Sequence, residues 1–270
     1  MKKYLNQNYH NLDQIAEKFS SEYISAEPFP HIVLDNFFNP KILNNILDDF
    51  PKNLDTIGRV IDHDPEQKLV NLNNSQLSEN IIEFLNAANS ETFVTFLNKI
   101  SGIEKYLIPD PYHWGGGTHE LRNKGYLNIH ADFNKHPKMK LDRRMNVLIY
   151  LNHNWKESYG GSLELWDREM KKCRKKIVPI FNRVVIFNTD DFSYHGNPEP
   201  VNCPDKSNSR RSIALYYYTN GRPESEVSKE EHSTLFKNRP NSDDSKKITY
   251  YKKIFWKFYI KKKRLLKGYK

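Results

Sequence analysis

Apolar positions change their spacing once along this chain. Up to residue 111 they recur at three- and four-residue intervals. Leu12, Ile15, Ala16, Phe19 and Tyr23 predict a helix over residues 9–25. Ile42, Leu43, Ile46, Leu47 and Phe50 predict a second, with Asn39 as its cap, Pro40 in its first turn and Pro51 at its end. Residues 29–35 read as a short strand between them, and residues 53–74 as polar and turn-rich. Residues 78–100 predict one broken helix or two consecutive ones, closed by Gly102. From 112 to 219 the pattern turns to short aromatic and β-branched runs separated by Asn, Gly, Pro and Asp. The clearest strands are 126–129, 145–151, 162–166, 184–187 and 212–219. Helices gathered before short strands predict a mainly β fold with flanking helices, a sandwich or jelly roll backed by N-terminal helices. The chain then divides into a helical lead-in (1–111), a β core (112–219), and a polar stretch ending in a basic amphipathic helix (220–270).

Composition bounds the class. A chain of 270 residues is near the size at which one core stops growing, so one elaborated domain, or one domain plus a small appendage, is expected. With 37% hydrophobic residues it is too apolar to be disordered. No apolar run is long enough to span a membrane, and the basic N-terminus has no apolar stretch behind it. The only cysteines, Cys173 and Cys203, cannot make a disulfide framework or a four-cysteine zinc site. A cytoplasmic protein is the expectation. The net charge of +9 belongs to the tail: residues 246–270 hold 11 basic residues and no acidic one, leaving 31 basic against 33 acidic in residues 1–245. A nucleic-acid binder is therefore disfavoured, because the body is slightly acidic.

The candidate chemistry begins at residues 125–133. Side chains at i and i+2 of a strand share a face, so His130 and Asp132 project together. Imidazole plus carboxylate suits a borderline divalent ion such as Fe(II), and His195, in a loop after the strand at 184–187, is the candidate third ligand. The plainer alternative is that His130 hydrogen-bonds Asp132 and His195 is an ordinary turn residue. Fifteen residues later, Arg210 and Ser212 share a strand face, an arrangement that suits bidentate binding of a carboxylate, unless Arg210 is simply solvated.

Taken in order, His130-x-Asp132, His195 and Arg210-x-Ser212 resemble the Fe(II)- and 2-oxoglutarate-dependent dioxygenases, in their prolyl 4-hydroxylase-like branch. The resemblance spans residues 112–219 and implies a double-stranded β-helix. It implies that His130, Asp132 and His195 bind Fe(II), and that Arg210 holds the distal carboxylate of 2-oxoglutarate with Ser212 and Tyr150 beside it. Gly160-Gly161 matches the family's turn into a strand. The resemblance implies O2 as co-substrate and ascorbate as a reductant. The implied reaction hydroxylates a substrate while 2-oxoglutarate loses CO2 to become succinate. The chain departs from the collagen-type enzymes, which use a lysine for the distal carboxylate; Arg211 should face away from Arg210.

Residues 133–144 carry five Lys or Arg and one Asp. They read as a basic substrate lid, with Lys138 and Arg143 as candidate substrate contacts, or as a solvated loop. His119, beyond the glycines at 115–117, is the third candidate substrate contact, in a stretch read as a structural loop. The substrate is a small molecule or a peptide. The helix at 246–266 can dock on the body or lie on an anionic membrane surface. A non-catalytic jelly-roll binding module is the alternative function; an intact ligand set argues against it.

Overall fold

The helices start and stop where side chains can satisfy their end groups. In the computed structural model, which describes residues 1–52, 68–70, 77–223, 226, 230–242 and 244, α1 (Leu12–Ser25) is capped by Asn11, whose side chain accepts from the Gln14 amide at 3.2 Å. After β1 (His31–Asp35), α2 (Pro40–Asp48) is capped by Asn39, which accepts from the Lys41 amide at 3.0 Å. The segment at 78–100 is two helices, α3 (Glu79–Ala88) and α4 (Glu91–Ser101). They break at Asn89-Ser90, and Gly102 ends α4 in the left-handed conformation, φ +65°. Among the described residues no helix is long and apolar enough to cross a membrane. The helix expected at 246–266 lies outside the described residues.

The strands form two antiparallel sheets. The larger contains β2 (Lys68–Val70), β3 (Ile108–Pro109), β4 (Gly117–Leu121), β6 (Asp142–Tyr150), β9 (Arg183–Asn188) and β11 (Arg210–Thr219) together with β1, in the order β1-β9-β6-β11-β4-β2, and β3 pairs with β11. The smaller is β12-β5-β10-β7-β8, from β5 (Leu127–Ala131), β7 (Leu163–Trp166), β8 (Cys173–Ile177), β10 (His195–Asn197) and β12 (Leu235–Phe236). Two facing sheets backed by helices are the expected jelly roll. The stretch at 53–74 is not all turn, since β2 extends the larger sheet beside β4.

Period-two patterning sorts the larger sheet's side chains. Met145, Val147 and Ile149 of β6, with Val184, Ile186, Ile213, Leu215 and Tyr217, face the helices. There they pack in one core with Phe37, Phe38, Phe84, Phe93 and Phe96. Tyr150, Val185 and Phe187 face the other way, onto Leu163, Leu165 and Ile177 of the smaller sheet. The alternation fails at one place. Tyr217 pairs with Met145 but Tyr218 pairs with Arg143, so β6 carries one extra residue, Arg144. Such a bulge re-aims the side chain beside it, and here it turns Arg143 into the space between the sheets.

Candidate metal centre

The smaller sheet brings the two histidines together. His130 of β5 and His195 of β10 are cross-strand partners with ring centroids 4.6 Å apart. His195 is thus not in a loop, as expected, but opens a strand. Asp132 follows β5 by one residue. The potential ligand atoms of His130, Asp132 and His195 all lie within 4.8 Å of one another. Asp132 Oδ1 is 3.5 Å from His130 Nε2, and Oδ2 is 3.4 Å from His195 Nε2.

Hydrogen bonding prepares the set for a cation. His130 Nδ1 lies 2.8 Å from the Asn128 carbonyl and His195 Nδ1 lies 2.8 Å from the Ser193 carbonyl. A carbonyl only accepts, so each Nδ1 carries the proton and each Nε2 turns a lone pair to the centre. Burial lowers the His195 imidazole to about 4, which keeps it neutral. Burial alone would raise the Asp132 carboxyl. The charge of Arg143 leads the effects that outweigh it and hold the carboxyl well below its usual range. Two imidazoles and one carboxylate facing a common point suit Fe(II). They are poor company for each other without a cation.

Arg210 stands across the same cavity, whose walls also include Ser212, His119, Asn146 and Tyr216. It is 5% exposed, and its Nε donates to the Gly161 carbonyl at 2.8 Å. Gly161, at φ +67°, lets the chain pass close: a Cβ there would lie 3.0 Å from Arg210 Cδ. Burial lowers the guanidinium, and among the described residues only Tyr150 acts in the opposite direction. The Tyr150 ring centroid is 4.9 Å from Arg210 Cζ, and its buried hydroxyl has that guanidinium as its neighbour. Ser212 pairs in register with Tyr150 on one side and His119 on the other. Among the described residues Arg210 is a buried cation with no carboxylate in ion-pair contact, chemistry suited to an organic anion. Arg211 turns to the opposite face and lies 3.5 Å from Glu120.

The basic stretch at 133–144 is not one exposed arm. Lys138 is exposed, lies 4.7 Å over the Tyr112 ring, and does not line the cavity. The loop is tied down beneath it. His136 is fully buried, its Nδ1 accepts from the Lys138 and Met139 amides, and its Nε2 is 3.3 Å from Asp110 Oδ2. Arg143 belongs to β6 and is 1% exposed, 2.9 Å from Asp132 Oδ2. The reading of Arg143 as a lid residue is therefore corrected: the bulge carries it inward onto the aspartate. His119, by contrast, does line the cavity, with Nε2 3.0 Å from the Gly115 carbonyl. Sequence reading missed Asn146, which donates to Asp132 Oδ2 at 2.8 Å. An asparagine among Met145, Val147 and Leu148, on the Tyr150 face of the strand, was the available sign.

Comparison with known proteins agrees with this geometry. Residues 116–218 match the profile of the 2OG-Fe(II) oxygenase superfamily. Over 214 residues the chain is 26% identical to the prolyl 3-hydroxylase OGFOD1 of Mus musculus, a match that covers 74% of this chain and 35% of that protein; the chain thus spans about a third of its relative's length. Among solved structures, a prolyl 4-hydroxylase from Phytophthora capsici aligns with a TM-score of 0.54 at 16% identity, covering 81% of this chain and 68% of the other. A prolyl hydroxylase from Trichoplax adhaerens, in complex with a hypoxia inducible factor oxygen degradation domain peptide fragment, aligns with a TM-score of 0.54 at 17% identity, over 81% and 95%. Residues 116–218 are thus similar to the 2OG-Fe(II) oxygenase superfamily, and the chain shares the jelly-roll fold of solved prolyl hydroxylases.

Proposed function

We propose that this chain is an Fe(II)- and 2-oxoglutarate-dependent dioxygenase that hydroxylates a peptidyl substrate. In this reading His130, Asp132 and His195 hold the iron, while Arg210, with Ser212 and Tyr150, holds the distal carboxylate of 2-oxoglutarate. The iron, once bound with 2-oxoglutarate and O2, supplies the oxidation, with succinate, CO2 and a hydroxylated carbon as products. The protein's own part is orientation and exclusion of water. Two backbone carbonyls fix the imidazole tautomers, Arg143 keeps Asp132 ionised, and the two sheets shield Arg210 so that an incoming carboxylate meets it in a low-dielectric site.

One observation carries the proposal: three lone-pair donors share one cavity with a buried guanidinium that no carboxylate pairs among the described residues. Similarity to a prolyl 3-hydroxylase, and to the fold of an enzyme solved with a peptide, supports a peptidyl substrate. Calorimetric titration of 2-oxoglutarate into the Mn(II)-loaded protein tests the cosubstrate site: saturable binding is expected, and no binding to loaded protein would contradict it. A peptide library screened by mass spectrometry for a metal- and 2-oxoglutarate-dependent gain of one oxygen tests the substrate. Modification only of free amino acids would contradict the peptidyl reading.

A further inference from the structure

The carboxylate of Asp132 is not held symmetrically. Its Oδ2 accepts from Asn146 Nδ2 at 2.8 Å and is ion-paired with Arg143 Nη2 at 2.9 Å. Its Oδ1 receives neither contact; the nearest nitrogen among the described residues is His130 Nε2 at 3.5 Å, which presents a lone pair. A hydrogen bond and an ion pair thus engage one carboxylate oxygen, while among the described residues the other is given no donor by Asn146 or Arg143.

The donors are themselves fixed. Asn146 Oδ1 accepts from Arg143 Nε at 3.1 Å and Nη2 at 2.8 Å, so the amide nitrogen must face the aspartate. The Arg143 guanidinium is sandwiched, with Cζ 4.4 Å from the Phe133 ring centroid and 3.5 Å from that of Tyr216. Tyr216 is in turn anchored through its hydroxyl to the Gly115 carbonyl at 2.9 Å. The Arg143 backbone carbonyl accepts from the Arg222 guanidinium. A strand bulge aims the arginine at a residue its sequence parity would place behind the sheet.

We propose that Arg143 and Asn146 are positioning residues that clamp Asp132 Oδ2 and so restrict the aspartate to ligating the metal through Oδ1 alone. A carboxylate free to turn can chelate a divalent ion through both oxygens, taking one coordination position more than the clamped form. That extra position is one the cosubstrates need. The clamp therefore keeps the centre open without touching substrate or cosubstrate. This inference rests on the metal centre proposed above.

The test uses the full chain loaded anaerobically with Co(II), with aspartate labelled with 13C, and reads the carboxylate stretches by infrared difference spectroscopy. One-oxygen ligation gives a wide separation between the symmetric and antisymmetric stretches, and chelation narrows it. A wide separation is expected in the wild type and a narrowed one in Asn146→Ala and Arg143→Met. 2-Oxoglutarate affinity of the cobalt-loaded variants should fall ~10–100-fold, the usual effect of removing a ligand's outer partner. Asn146→Ser and Arg143→Lys serve where the larger change disturbs folding, judged by near-ultraviolet circular dichroism. Lysine keeps the charge but cannot fork to both partners, so Arg143→Lys should also narrow the separation. Folded, cobalt-bound variants whose separation stays wide would overturn the clamp and leave the metal centre standing. A wild type that binds no Co(II) would overturn the centre and the clamp together.

Discussion

Side chains around the cavity divide into those that offer lone pairs and those that offer charge. His130 and His195 offer lone pairs because backbone carbonyls take their Nδ1 protons. His195→Ala removes one of three donors and should abolish Fe(II) binding at micromolar metal, read by anaerobic equilibrium dialysis; retained stoichiometric binding would remove His195 from the site. Arg210 offers charge. Arg210→Met should leave metal binding intact but weaken 2-oxoglutarate by about 2–5 kcal/mol, the cost of truncating one partner of a buried hydrogen-bonded charge pair. A loss below tenfold in calorimetry would contradict its assigned role. The ligand set and Arg210 were legible because their spacing follows strand period two and a family pattern. Arg143 was not, since a one-residue bulge reverses its parity and no residue between 142 and 145 announces it. It was legible only as one cation in a basic run, which pointed to solvent instead of to the aspartate.

At the scale of elements, close approach of backbones decides which changes the site tolerates. Gly116 lets the chain lie against β11. A Cβ at Gly116 would stand 2.7 Å from the Ala214 carbonyl oxygen. Gly116→Ala should therefore cost about 1–3 kcal/mol, the usual range for overpacking, measured by urea unfolding; an unchanged midpoint would show that the loop gives way freely. Helix boundaries were readable in the sequence because caps are local: Asn11, Asn39 and Gly102 each act within a few residues. β10 was not, being three residues long and defined by partners on β5 and β7 far away in sequence. β4 and β8 escaped for a related reason. β4 mixes His119 and Glu120 with glycine, and β8 is an edge strand dominated by Arg174, Lys175 and Lys176, so neither shows an apolar run.

Across the whole molecule, the helices and the β core share one interior. Phe93 is fully buried and packs against Phe37, Phe38 and Phe96 behind the sheet that carries Arg210. Phe93→Ala should cost about 3–5 kcal/mol, seen as a lowered denaturant midpoint, and an effect under ~1 kcal/mol would contradict so tight a core. Stability should also depend on pH with a definite sign. Burial lowers the imidazoles of His31 and His113 and brings His195 to about 4. An unfolded histidine takes up its proton near about pH 6.5. Below that pH the unfolded chain holds more protons than the folded one, so stability falls as acid is added and is flat from these groups above neutrality. Metal-free protein should therefore melt at a lower temperature at pH 5.5 than at pH 7.5; the reverse order would contradict the burial of these rings as neutral groups. The central claim joins both ends of the cavity, and one titration reads them at once. Fe(II) and 2-oxoglutarate are added without oxygen to the wild type, His130→Ala and Arg210→Met, and the visible charge-transfer band of the ferrous 2-oxoglutarate complex is recorded. The account predicts a saturable band in the wild type, none in His130→Ala, and in Arg210→Met a band that appears only at far higher 2-oxoglutarate. A wild type with no band, or a His130→Ala variant that keeps it, would contradict the account.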